Sequence, residues 1–208
     1  MLSHAQRAFL RACKNGDAAR AQKLLDQAGA GIMETRSDGR GATGLRLASR
    51  RGHRQVVRVL CERGANVDAK DEKGGVTPLL AAASENRVDV VAELLAHQPD
   101  LEVQARPHNM TIHGTALHHA CDKGFVDVAA LLCDAGANLE AATHISLCTP
   151  LLYACETGGP EMVRLLLSRG ARSEARNLLR DTGLHLAASQ LCLQLLWAAL
   201  RPVLQRCW

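Results

Sequence analysis

TGLRLASRRGHRQVVRVLCERGANVDA, residues 43–69, returns in altered form three times further along the chain, and this recurrence decides the fold. Its opening Thr-x-Leu phrase stands at Thr43, Thr77, Thr115, Thr149 and Thr182, with spacings of 34, 38, 34 and 33 residues. A period in this range belongs to a stack of short supersecondary units, each unable to bury its apolar face without neighbours. Function is therefore expected on the surface of the stack.

The unit from Thr115 to Ala142 shows how one repeat is built. Thr115 caps a helix through Ala116, Leu117, His118, His119, Ala120 and Cys121, and Gly124 ends it. A second helix runs through Val128, Ala129, Leu131 and Leu132 until Gly136. The first helix carries a small-residue face that permits close approach, the second a bulkier one at helical spacing. The stretches 65–68, 137–140 and 171–174 are expected to form hairpin turns projecting beyond the helices.

Several phrases recur together in one order: Thr77-Pro78-Leu79, Leu117-His118, Gly52-His53 followed by Val56-Val57, and Gly64-Ala65-Asn66. In these the chain resembles the ankyrin-repeat family. Residues 38–176 carry the pattern, and 5–35 resemble a degenerate first repeat through Ala12-Cys13, Asn15-Gly16-Asp17 and Leu24-Leu25. The resemblance implies an all-α solenoid of helix-turn-helix units with projecting hairpin loops. It also implies a protein-binding scaffold or adaptor without catalysis or cofactor. The expected organisation is a single domain over residues 1–208, with repeats at 5–35, 38–69, 71–105, 112–142, 146–176 and a degenerate 179–208.

Composition fits this reading. Aromatic residues make up only 2% of the chain, so Ala and Leu must fill the interior. The amino-terminal stretch lacks the unbroken apolar core of a secretory signal, and no run approaches membrane-span length. A cytoplasmic or nuclear location and a monomeric state are expected. Cys13, Cys121 and Cys155 share one repeat position with Ser49 and Ala83, and Cys61 and Cys133 share another with Leu95. Such interchange marks reduced, buried fillers. Cys148, Cys192 and Cys207 fall outside this pattern, and Cys207 is read as the exposed thiol.

Charge is zoned. Residues 1–70 carry 14 Lys/Arg against 6 Asp/Glu, residues 71–161 carry 4 against 13, and residues 162–208 carry 7 against 2. This zoning favours a partner of mixed charge over a uniform polyanion. Eight arginines between Arg36 and Arg63 support nucleic-acid binding as the alternative, but no aromatic residues interleave them for base stacking, and an acidic protein partner is preferred. A purely structural spacer is the third reading.

In a stack of this kind partners meet the ends of the first helices and the hairpin tips. The candidates at helix ends are Lys14 and Asn15, Arg50 and Arg51, Ser84 and Glu85, Asp122 and Lys123, and Glu156 and Thr157; at the hairpins they are Gly39, Arg40, Glu72 and Lys73. The enlarged loop from Glu102 to Gly114 adds Arg106, His108, Asn109 and Met110, because insertions on solenoids map to loops on one face. Tyr153, the single tyrosine, is read as an interface anchor or as packing between repeats. After Gln190 the last repeat loses its pattern and turns apolar through Leu193, Leu195, Leu196, Trp197 and Leu200. That ending is read as a fused cap, a docking surface that mediates association, or the product of a truncated or alternative reading frame.

Enzymatic readings have little support. His113, His118, His119 and Cys121 lie close in sequence, but no second Cys or His pair completes a closed zinc site, and His118 fits a hydrogen-bonding link between adjacent units. No G-x-S-x-G elbow or phosphate-binding glycine loop occurs.

Overall fold

The computed structural model describes residues 2–37, 39, 41–105, 113–187 and 193–198, grouped into two compact units, Met1–Thr111 and Ile112–Trp208. The first unit contains α1 (His4–Asn15), α2 (Ala18–Ala28), a short 3-10 helix (Ala30–Glu34), α3 (Gly44–Arg51), α4 (Arg54–Glu62), α5 (Pro78–Ala83) and α6 (Val88–Leu95). The second contains α7 (Ala116–Lys123), α8 (Val126–Asp134), α9 (Pro150–Thr157), α10 (Pro160–Ser168) and α11 (Gly183–Leu186), followed by a helical segment at 193–198.

Local chemistry sets the boundaries. Thr43 and Thr77 accept the backbone N–H groups of Arg46 and Leu80, satisfying donors that the first turn leaves open. Thr115 and Thr182 instead form capping boxes with His118 and His185. Gly52 ends α3 in the left-handed region, with φ 82°; Asn86 takes the same conformation, with φ 55°, where the third repeat lacks glycine. His53 and Arg87, just after these turns, reach back to the preceding repeat. The His53 ring lies 3.0 Å from the Lys14 carbonyl oxygen, and Arg87 Nε donates to the Arg50 carbonyl at 3.2 Å.

Packing follows the two faces. In the first unit α3 lies between α1 and α5, while α4 lies between α2 and α6. In the second, α9 contacts α7 and α11, and α8 contacts α10. The first helices bury Ala12, Cys13, Ala48, Ser49, Ala82, Ala83, Ala120, Cys121, Ala154 and Cys155, which lets their backbones approach closely. Val56, Val57 and Leu60 on α4 and Val128, Ala129 and Leu132 on α8 supply the second layer. Gly44 stands where the third and fifth repeats have Pro78 and Pro150. A Cβ there would lie 2.9 Å from both Cys13 Sγ and Phe9 Cε1, so the fully buried Phe9 fills the space a side chain would need.

Hairpins close around the positions expected from Gly39 and from Glu72 and Lys73, and not at 65–68 or 137–140. Residues 65–68 and 137–140 form tight turns in which Asn66 and Asn138 accept the N–H groups of Asp68 and Glu140 at 2.9 Å. Antiparallel closure instead occurs between Ser37 and Ala42, Asp71 and Val76, and Thr143 and Cys148, with a further bridge between Arg176 and Thr182. The polar turns join repeats: Asp68 accepts the Asp100 N–H at 2.9 Å, and Glu140 accepts the Arg172 N–H at 2.8 Å.

Candidate protein-interaction surfaces

Most arginines of the second repeat are engaged by neighbouring repeats. Arg46 and Asp71 form a buried pair at 3.6 Å, and Asp71 also accepts the Gly74 and Val76 N–H groups at 3.0 Å, so its charge is satisfied while it shapes the hairpin. Arg36 Nη1 donates to the carbonyls of Gly41 and Lys70 at 2.9 and 2.8 Å. Arg50 meets Glu85 at 3.1 Å, and Arg63 meets Asp26 at 2.8 Å. Arg54 and Arg58 both grip Glu93 on α6 at 2.9 Å. The Arg58 hydrogen bonds foremost, with those of Arg54, hold the Glu93 carboxyl down at about 2 against the opposing effect of partial burial. Among the described residues this register leaves no continuous free arginine face for phosphates. Arg51 is exposed and makes no ion pair with a described residue, while Arg40 lies outside the described residues.

A second feature of this unit is a cleft of about 770 Å³ lined from α1 and α3 and by Ser37, Gly39 and Lys73. Arg11, Lys14, Arg46, Arg50, Arg51 and Lys73 line it, and no carboxylate does so among the described residues. Leu10 and Leu47 contribute apolar surface. Arg46 and Arg50 are held by Asp71 and Glu85, so Arg11, Lys14, Arg51 and Lys73 supply charge without an ion pair to any described residue.

In the second unit the hairpin tips are apolar. Ile145 is 76% exposed, Leu147 44%, Leu178 61% and Leu179 79%. The Leu178 N–H donates to the Ser146 carbonyl at 2.8 Å, holding the two tips side by side. The backbone shows how these side chains are displayed. The tip position with positive φ is glycine in the first unit, at Gly41 and Gly75, but Leu147 and Arg180 in the second, with φ 54° and 67°. A leucine held there is strained, and its N–H closes the turn onto the Thr143 carbonyl at 3.0 Å.

His118 explains the rigidity beneath these tips. Thr115 N–H donates to its Nδ1 at 3.2 Å, which leaves the ring proton on Nε2 to reach the Cys148 carbonyl at 3.1 Å across the repeat boundary. Burial pushes this histidine down to about 4, so it serves as a neutral structural bridge. Tyr153 packs edge-on against it, with ring centroids 5.9 Å apart, and its hydroxyl lies 3.3 Å from Ser146 Oγ.

The family model for ankyrin repeats (three copies) matches residues 9–106 and 103–177. The chain is an ankyrin-repeat protein. It is 31% identical over 152 residues to human B-cell lymphoma 3 protein, an alignment covering 73% of this chain and 32% of that protein. The mouse homolog is 33% identical over 136 residues, covering 65% and 29%. Human ankyrin repeat and SOCS box protein 11 is 35% identical over 99 residues, covering 48% and 28%. The chain thus spans about a third or less of the length of these relatives. Among solved structures, an ankyrin repeat domain from Acinetobacter baumannii superposes with a TM-score of 0.81 at 27% identity, covering 92% of this chain and 96% of that one. Ankyrin repeats are in general protein-interaction modules without catalytic machinery, and the all-helical solenoid fold follows from these matches.

Within the ankyrin-repeat frame, the candidate contact residues divide. Asn15, Glu72, Lys73, Lys123, Glu156 and Thr157 are exposed, and Asp122 is half-buried beside Lys123 at 3.7 Å. Arg50 and Glu85 engage one another across the repeat boundary and are therefore not independent contact points. Ser84 is a correction: it is 4% exposed and its hydroxyl donates to the Ala81 carbonyl at 3.2 Å, within the helix. Tyr153, read as an anchor or as packing between repeats, is 8% exposed and packs against His118. Arg106, His108, Asn109 and Met110 lie outside the described residues, as do Cys192, Leu200 and Cys207. Cys13, Cys61, Cys121, Cys148 and Cys155 are buried free thiols, and Cys133 is half-buried. Among the described residues, no helix is long and apolar enough to cross a membrane and no cluster of three metal-ligating side chains forms. At the carboxyl-terminal end Leu196 is fully buried against Gly183, while Trp197 is 60% exposed. The aliphatic tips were missed by sequence reading, although a signal was present: His144-Ile145-Ser146-Leu147 and Asn177-Leu178-Leu179-Arg180 stand where the third repeat has Glu72-Lys73-Gly74-Gly75.

Proposed function

We propose that the chain is a non-catalytic binding module of the scaffold or adaptor type, and that a partner protein covers the hairpin tips of its second unit. The observation that carries this reading is the exposure of Ile145, Leu147, Leu178 and Leu179 on two tips hydrogen-bonded together. Contiguous exposed aliphatic groups are disfavoured in water, and such patches characterise interaction sites. The backbone beneath them is preorganised by the His118 bridge and by the Thr143 hydroxyl, which accepts the Cys148 N–H at 3.2 Å, so little ordering entropy is lost on association. The engagement of the second-repeat arginines within the unit favours a protein partner over nucleic acid.

The test compares affinity capture from cells by the intact chain and by Ile145→Asp/Leu178→Asp/Leu179→Asp. The reading expects loss of a reproducible protein partner while far-UV circular dichroism and thermal unfolding stay unchanged. An unchanged set of captured proteins would sink it.

A further inference from the structure

Resting on the reading of the chain as a protein-binding module, we infer that the basic cleft of the first unit is a second recognition site, which takes an extended acidic segment of a protein. The site differs from the apolar tips in place and in chemistry. Its volume of about 770 Å³ is that of a ligand cleft and far exceeds the space for one side chain.

The pattern of pairing carries the assignment. On the second helices, Arg54, Arg58 and Arg63 each meet a carboxylate of an adjoining repeat. In the cleft, Arg11, Lys14, Arg51 and Lys73 converge from two helices and a hairpin without an ion pair to any described residue. Gathering like charges raises the energy of the free protein, and an anionic ligand relieves that repulsion. The arrangement has a built frame. Arg46, fixed by Asp71, forms its inner wall, and Arg50 is fixed by Glu85 through its Nε. Arg36 ties one hairpin to the start of the next through the Lys70 carbonyl.

The same lining selects a peptide over nucleic acid. It contains no aromatic ring for base stacking, and its charges gather in one cleft and do not track along a strand. Leu10 and Leu47 offer aliphatic contact between the cations, matching a chain in which acidic and apolar side chains alternate. The occupant is a segment that presents a row of Asp or Glu carboxylates, alternating with apolar side chains, on an extended backbone.

Fluorescence anisotropy of the full chain tests this with three labelled probes of equal formal charge: a peptide alternating Glu and Leu, its phosphoserine counterpart, and an oligothymidylate. Saturable binding of the Glu-Leu peptide is expected, at least as tight as that of its phosphoserine counterpart; markedly tighter binding of the phosphoserine peptide overturns the carboxylate assignment. Arg11→Glu/Lys14→Glu and Arg51→Glu/Lys73→Glu should each weaken peptide binding by at least about tenfold, whereas Arg20→Glu/Lys23→Glu, the same charge change on α2, should change it by less than about twofold. Arg11→Gln/Lys14→Gln repeats the test if charge reversal disturbs the fold. Absence of saturable peptide binding, equal weakening by the α2 variant, or tighter binding of the oligothymidylate overturns the inference. Failure of peptide binding with the tip-dependent partner still captured overturns the cleft alone. Loss of the tip surface's role with peptide binding intact leaves the cleft standing.

Discussion

Glu93 joins two arginines of the preceding repeat, and its charge should contribute measurably to stability. Arg54 and Arg58 on α4 both reach it at 2.9 Å, and its side chain is only 11% exposed. Lowering its pKa from 4.5 to about 2 corresponds to an upper limit of about 3 kcal/mol. The arginine side chains are 49% and 39% exposed, so solvent screening and lost side-chain freedom reduce the net contribution to about 1–2 kcal/mol. Glu93→Gln keeps the shape and removes the charge, and should cost about this amount at pH 7 in a urea melt followed by circular dichroism.

The pH dependence separates charge from packing. The folded pKa is depressed, so the stabilisation is fully present above the unfolded value of 4.5 and is lost as pH falls through 4.5 toward about 2. By pH 3 the deficit of Glu93→Gln relative to the parent should shrink to under roughly half its value at neutral pH, and near pH 2 most of it should be gone. A deficit that stays constant from pH 7 to pH 3 refutes the charge clamp and assigns the effect to packing.

Gly44→Pro restores the Thr-Pro-Leu phrase seen at Thr77 and Thr149, yet the new ring must displace Phe9 and Cys13; a loss of about 1–3 kcal/mol is expected in thermal or urea unfolding, and a gain would contradict the packing argument. Arg180→Gly removes an exposed side chain from a left-handed position with φ 67°, and should stabilise the second unit by about 0.5–1 kcal/mol. Burial raises the thiols of Cys13 and Cys61 to about 12 and about 11, so iodoacetamide at pH 8 should label neither in the folded chain and both in urea, as read by peptide mass spectrometry; rapid native labelling contradicts their assignment as core fillers.

The repeat period, the threonine caps and the alternation of small and large buried positions were legible because they depend on neighbours within one unit. His118 was legible for the same reason: its place at the third residue of a Thr-capped helix implies the capping box, and the bond to Cys148 follows from stacking. The arginine partners were not. Arg50 and Glu85 are separated by 35 residues and Arg54 and Glu93 by 39, and neither separation equals the 34-residue step from Thr43 to Thr77. Side-chain length and helix tilt decide which acid each arginine reaches, and composition reports neither. Ser84 was misread because the repeat pattern marks its helix end as a contact position, whereas its hydroxyl folds back on the Ala81 carbonyl. The tips at Ile145 and Leu178 were overlooked because the hairpin positions were read from the aspartates at Asp38 and Asp71, and the later repeats have no aspartate there.

The zoning of charge along the chain acquires a structural meaning from these pairs. An arginine-rich second repeat set against carboxylates at Asp26, Asp71, Glu85 and Glu93 favours one stacking order, because a shifted register would oppose arginine to arginine. Each exposed pair contributes little to stability, but the set penalises the wrong neighbour. Arg11, Lys14, Arg51 and Lys73 stand apart from this logic. Glu72 is adjacent in sequence to Lys73 and exposed, yet it packs over Gly41 and leaves the cleft without a carboxylate among its described lining. Charges that specify stacking are paired within the molecule, and those of the cleft, which meet no carboxylate among the described residues, are the ones offered to a ligand from outside it.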